Sequence, residues 1–241
     1  MRRSAAFVAL SIASISLLAS AEVPPSTSVG SPQRGHLVAG VALPASGAGF
    51  RFQTIRGNPS ARYGTEEMVA MLLAAVAGVE SEAPGSLLVI GDLSLPEGGR
   101  IHGHGSHTSG RDVDIRYYAL DEGGEPRSEP NVDFGRNGRA SDGGRFDVER
   151  NWLFIRSALE SELADVQYIF IYGPLERLLL EHAEANGASP ELLQEAARKM
   201  MPPGGGSRVS PHADHMHIRI LCTAEDEAEG CLNRNSRRRR R

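Results

Sequence analysis

Apolar residues recur at two different periods along this chain, and the switch from one to the other outlines its elements. Met68, Val69, Leu72, Leu73, Val76 and Val79 share one face at helical spacing, with Thr65 placed to cap the helix. Glu66 and Glu67 suit its positive end. A second helix is expected to open at Asp147 and run through Trp152, Ile155, Leu159 and Leu163. Two more are expected over Leu175 to Ala185 and Pro190 to Met201, the latter with Ser189 as cap and Pro190 at its first position. Short apolar runs predict strands at Leu37 to Leu43, at Leu87 to Ile90, and at Val166 to Tyr172, which Gly173-Pro174 stops. Asp112 to Ile115 and His215 to Cys222 alternate polar and apolar residues, the period of a half-buried strand. Strands and helices mix without regular βαβα alternation. That favours an α+β fold, with a small antiparallel sheet flanked by helices. Asp121 to Gly144 has no periodicity and many Gly, Asp, Arg and Asn residues, and is expected to be a functional surface loop.

The two ends read differently from the middle. Arg2 and Arg3 precede an apolar run from Ala5 to Leu18 that closes on Ala19-Ser20-Ala21, the layout of a secretory signal peptide over residues 1–21. Residues 22–35 are rich in Pro, Ser and Gly with few large apolar residues, and predict a flexible linker. Residues 36–223 are then long enough for one well-buried domain, and 224–241 are expected to be a polar loop and a basic, largely disordered tail. No later segment resembles a membrane span. The formal net charge is −4; it becomes −6 without Arg2 and Arg3, and about −11 without Arg237 to Arg241 as well. An acidic body argues against nucleic acid as a partner. Export implies an oxidising compartment, where Cys222 and Cys231 are expected to close one local disulfide.

Candidate chemistry lies in the histidines. Six of the eight fall in two windows, 102–107 and 212–217, and imidazoles concentrated beside carboxylates are what a borderline-soft divalent metal needs, zinc being the usual occupant. Gly103, Gly105 and Gly110 let the backbone turn sharply around His104 and His107. On a strand, His215 and His217 share one face while Met216, Ile218 and Ile220 take the other. Two neighbouring imidazoles can meet one ion, or one can bind it while the other handles a proton. Spacing alone leaves Asp112 and Asp114 as alternative ligands. His36 and His182 stand outside this pattern as ordinary polar residues, and His102, ambiguous inside the first window, is read the same way. Sequence signatures of other hydrolases and of phosphate-binding loops are absent.

His107-x6-Asp114 with His215-x-His217 resembles the paired motif of the zinc peptidases typified by lysostaphin, D-alanyl-D-alanine carboxypeptidases and the hedgehog signalling domain. More narrowly, Ile90-Gly-Asp-Leu-Ser-Leu-Pro-Glu-Gly-Gly-Arg100, the run from His104 through Ser109-Gly110 to Asp112-Val-Asp-Ile115, and His212-Ala-Asp-His-Met-His-Ile-Arg219 are similar to the penicillin-insensitive murein endopeptidases. The resemblance implies His107, Asp114 and His217 as zinc ligands, His215 as general base or stabiliser, and His104 and His212 as groups that orient substrate or water. It implies a periplasmic peptidase acting on peptidoglycan cross-links of the D-alanyl to diaminopimelyl type. The rival readings are a D,D-carboxypeptidase on uncross-linked stems and a metal-bearing cell-wall binding module without turnover.

Overall fold

The computed structural model describes residues 25–53, 57–128, 131–203 and 211–233; the signal-peptide segment and the arginine run lie outside them. In chain order the strands are β1 Thr27–Ser31, β2 Arg34–Val38, β3 Val41–Ala42, β4 Ser46–Gly47, β5 Phe50–Phe52, β6 Tyr63–Gly64, β7 Leu88–Ile90, β8 Asp112–Arg116, β9 Ala119–Leu120, β10 Arg145–Phe146, β11 Val166–Phe170, β12 Met200–Met201 and β13 His215–Ile220. The helices are α1 Glu66–Glu82, α2 Val148–Leu159, α3 Gly173–Ala185, α4 Pro190–Lys199 and α5 Ala224–Ala228. The fold is α+β, as the pattern predicts, but its main sheet is neither small nor wholly antiparallel. Seven strands line up as β12-β11-β13-β8-β7-β5-β4, with β11 parallel to β12 and β5 parallel to β7. The two- and three-residue edge strands that enlarge it are too short to leave a period in the sequence.

The central strands explain where the site can be. Val113 and Ile115 of β8 and Met216, Ile218 and Ile220 of β13 are buried in one cluster with Met68, Leu72 and Val76 of α1 and Trp152 and Ile155 of α2. One face of the sheet is thus sealed by helices, and the residues between these positions belong to the other face. The helices start where their caps place them: Thr65 Oγ1 accepts from the Met68 N–H, Asp147 from Arg150 and Ser189 from Leu192. Helix α2 stops at Leu159, and Leu163 beyond its end is 48 % exposed. Helix α4 stops at Lys199, and Met200-Met201 instead join the sheet edge beside β11.

Both chain ends depart from expectation. From Thr27 on, the stretch expected as linker over 22–35 is instead the first strand and turn of an antiparallel hairpin, Thr27↔Val38 through Ser31↔Arg34. Its Ser28 and Ser31 are buried, and Ser28 has specific polar partners. Arg111, fully buried, donates from Nε to Ser28 Oγ (3.0 Å) and from its terminal nitrogens to the carbonyls of Ile220 (2.9 Å) and Leu232 (3.0 Å) and to Asn233 Oδ1 (3.2 Å). Burial pushes its pKa down, although Asp112 and Asp226 nearby work against this. The described residues after Thr223 also belong to the fold: α5 packs on β1, Asp226 accepts from the Ser28 N–H, and the Gly30 N–H donates to the Gly230 carbonyl. Cys222 and Cys231 form the expected disulfide. The apolar run Leu37 to Leu43 is broken into β2 and β3 at Ala39, whose φ is +49°. The Asp121 to Gly144 loop is less superficial than its composition implies, since Phe134 and Ala140 are buried against the main core.

Two measurements check this account. Replacing Arg111 by Met strands several buried acceptors on three segments at once, and is expected to cost about 3 kcal/mol in denaturant unfolding; a loss below about 1 kcal/mol would contradict a clamp role. Asp147→Ala removes a cap and is expected to cost about 1 kcal/mol, whereas Leu163→Ala should stay within about 0.5 kcal/mol of the parent.

Candidate functional site

The register of the two central strands assembles the site. In the β8–β13 pair His217 lies opposite Asp114, Arg219 opposite Asp112 and His215 opposite Arg116, so six polar side chains share the face that the helices do not cover. Asp114 is pressed from behind by Gly91, whose N–H donates to the Asp114 carbonyl (2.7 Å). A Cβ at position 91 would come within 3.0 Å of that same oxygen, so the close approach needs glycine. The loop after β7 brings the first histidine window over this face. His107 adopts a left-handed backbone (φ +69°), as does His212 (φ +57°), and with Ala39 these are the described non-glycine residues at positive φ. Such geometry costs energy in most residues and persists where neighbours over-determine it. For His107 they do: its N–H reaches Asp112 Oδ2 (3.2 Å), its carbonyl accepts from Ser94 Oγ (2.6 Å), and its Nδ1 meets the Leu93 carbonyl at 2.8 Å.

These contacts fix the imidazole tautomers. A carbonyl can only accept, so His107 Nδ1 carries the proton and Nε2 presents a lone pair. His217 touches carboxylates through both nitrogens, the shorter contact being Nε2 to Asp112 Oδ1 (2.8 Å), so in the neutral ring Nε2 keeps the proton and Nδ1 turns a lone pair inward. His107 Nε2 and His217 Nδ1 then face each other at 3.2 Å, and Asp114 Oδ1 lies 3.3 Å from the first and 3.0 Å from the second. Two lone pairs and a carboxylate oxygen converging on one point repel unless a cation sits among them. A tetrahedral divalent ion ~2.0–2.1 Å from each ligand needs ligand atoms ~3.3 Å apart, close to this triangle. His104, His107 and Asp114 form an overlapping group whose ligand atoms lie within 4.8 Å of one another. His104 is the more loosely placed member, with Nε2 on Asp92 Oδ2 (3.0 Å) and Nδ1 3.5 Å from Asp114 Oδ2.

The surrounding charges agree with a cation. Burial favours the neutral form of Asp112, but Arg219, whose Nε lies 2.5 Å from Oδ1, and then His217 and His107 hold it well below the usual carboxylate range. Burial likewise opposes charge on Asp114, and His107 and His217 more than offset it. Burial alone would lower His217, yet Asp112 and Asp114 carry it above its ordinary value, so this pocket stabilises positive charge. Asp92, Asp112, Asp114 and Asp214 against Arg116 and Arg219 leave two negative charges when the imidazoles are neutral.

Sequence reasoning left Asp112 and Asp114 as alternatives, and the geometry separates them. Asp114 joins the convergent triangle, while Asp112 is buried behind His217 and shared with Arg219. His215 stands on the rim with Nε2 4.0 Å from Asp114 Oδ1, and His212 lies beside it with ring centroids 4.7 Å apart. His36 and His102 are exposed and His182 bonds with Asn186 on α3, all apart from the cluster. Asp92, Asp214, Arg116 and Arg219 were not singled out as site residues. Their common signal was charge inside or beside the histidine motifs, which is readable only once the strand pairing is known.

Comparisons with known proteins agree in outline. A family model described as penicillin-insensitive murein endopeptidase matches residues 28–239. A penicillin-insensitive murein endopeptidase from Klebsiella pneumoniae is 28% identical over 218 residues, an alignment covering 85% of this chain and 73% of the relative. One from Escherichia coli is 27% identical over 217 residues, covering 82% and 67%. Because the family model spans nearly all of the described fold, both histidine windows included, the chain belongs to the penicillin-insensitive murein endopeptidase family.

Proposed function

We propose that this chain is a zinc endopeptidase that hydrolyses D-alanyl to diaminopimelyl cross-links in peptidoglycan and works in the periplasm. The observation that carries the reading is the convergence of His107 Nε2, His217 Nδ1 and Asp114 Oδ1 to within 3.3 Å of one another beside an open cleft. These three are the proposed ligands, and a His₂-carboxylate set leaves coordination free for substrate or water. A zinc ion held there supplies Lewis acidity for amide hydrolysis. His215 Nε2 takes the proton of the attacking water and returns one to the departing amine, work suited to imidazole near neutral pH. His104, tied to Asp92, and His212, beside His215, orient substrate or water from either side. Peptidoglycan as substrate rests on the family, and among the described residues no helix is long and apolar enough to cross a membrane.

Purified protein is expected to carry close to one zinc per chain, and a chelator to abolish digestion of cross-linked muropeptides. Elemental analysis of His107→Ala and His217→Ala should find the metal lost, with His36→Ala and His182→Ala retaining it; equal retention in all four would refute the ligand assignment. Products resolved by mass distinguish endopeptidase from carboxypeptidase, since only the latter releases free D-alanine.

His215→Ala separates proton handling from ligation. Zinc content and melting temperature should match the parent while turnover falls ~10²–10⁴-fold. If metal is lost as completely as in His217→Ala, His215 is a ligand and the base is another group.

A further inference from the structure

Beside the triangle lies a cleft of about 170 Å³ whose wall includes Gln53, Asp92, His104, Arg116, Asp214 and His215. Four of these are linked in a row, and three of them, Asp214, Arg116 and Gln53, have no part in the chemistry proposed so far. His215 Nδ1 lies 2.7 Å from Asp214 Oδ1, the other oxygen of Asp214 accepts from an Arg116 terminal nitrogen, and Arg116 Nε donates to Gln53 Oε1 at 2.9 Å. Gln53 is in turn anchored by its own N–H on the Ile90 carbonyl (2.7 Å), at the end of β7. The row runs from the rigid sheet to one imidazole nitrogen.

We propose that Asp214, braced by Arg116, is a positioning residue for His215: it holds the Nδ1 proton, fixes the ring and leaves Nε2 bare toward the Asp114 side of the cluster. The inference rests on the reading of His215 as the proton-handling group. The chemistry follows from donor and acceptor counts. An ionised carboxylate only accepts, so the nitrogen it touches must be the protonated one, and the lone pair belongs to the other. Arg116 lies directly across from His215 in the β8–β13 register, so its guanidinium reaches over the sheet face to Asp214 without leaving its strand. Burial alone would raise the Asp214 pKa, but His215 and Arg116 bring it down to about 2, and the brace stays ionised wherever the imidazole works. Asp214 is partly exposed, as an ion pair of little structural weight would be. Its placement therefore answers better to orientation than to stability. Carboxylates that hold an imidazole in one tautomer do so in other hydrolytic sites, where removing the charge while keeping the shape costs turnover steeply.

The test uses the zinc-loaded full chain and a cross-linked muropeptide. Asp214→Asn is expected to lower kcat ~10²–10⁴-fold with KM within about twofold, and with zinc content and melting temperature unchanged. Asp214→Glu should recover at least part of the loss. In a His215→Ala background the same Asp214→Asn change should alter kcat by less than about twofold, since a residue acting through His215 has nothing left to position. Nitrogen NMR of the His215 ring should find the Nδ1–H tautomer in the parent and its loss in Asp214→Asn, a readout independent of turnover. Parent-like kcat in Asp214→Asn, an equal loss in the His215→Ala background, or loss of zinc would each overturn the proposal. If His215→Ala itself turns over like the parent, the assignment of His215 falls and this proposal with it; if only Asp214→Asn is silent, the proposal falls alone.

Discussion

The pairing of β8 with β13 is the constraint on which the rest depends. Side chains on a strand alternate, so a slip of one residue would send His215, His217 and Arg219 into the helices and Met216, Ile218 and Ile220 into water. The apolar face prevents this. Val113, Ile115, Met216 and Ile218 are fully buried against α1 and α2, and their burial fixes the register that sets His217 opposite Asp114 and Arg219 opposite Asp112. The polar cluster is thus assembled by hydrophobic burial on the reverse of the same two strands.

Within that frame each imidazole is fixed by what lies behind it. Leu93 holds one nitrogen of His107, Asp112 holds one of His217, and Asp214 holds one of His215. The remaining nitrogens of the first two converge, and that of the third looks on from the rim. A buried Asp112 is tolerable only because Arg219 lies against it, and Arg219 spends a further donor on Tyr168 Oη of β11. The sequence supplies the histidines, but the tautomers and the direction of the lone pairs come from these supporting contacts.

Much of this was legible in the residues. The helical period of α1 and α2, their caps, the alternation of β8 and β13 and the grouping of histidines all follow from local rules that tertiary packing did not override. What was not legible is mostly long-range. Residues 22–35 read as linker because serine and glycine carry no apolar signal, yet Ser28 is buried by a guanidinium 83 positions away. Asp112 and Asp114 have the same spacing from the strand's apolar residues, and only the partners across the sheet distinguish them. Asp214 reads as a loop acid until the chain brings Arg116 over it.

The clamp around Arg111 bears on how such a chain is made. Residues 28 and 30 are about 200 positions before their partners at 226, 230 and 232, and β13 precedes those partners only slightly. No nascent chain that stops short of His215 can complete the cluster, and none that stops short of Leu232 can close over Arg111. Contacts of this sequence separation form late and cooperatively. A chain that stops before residue 217 lacks one corner of the convergent triangle, so the cluster exists only when both central strands are present and paired.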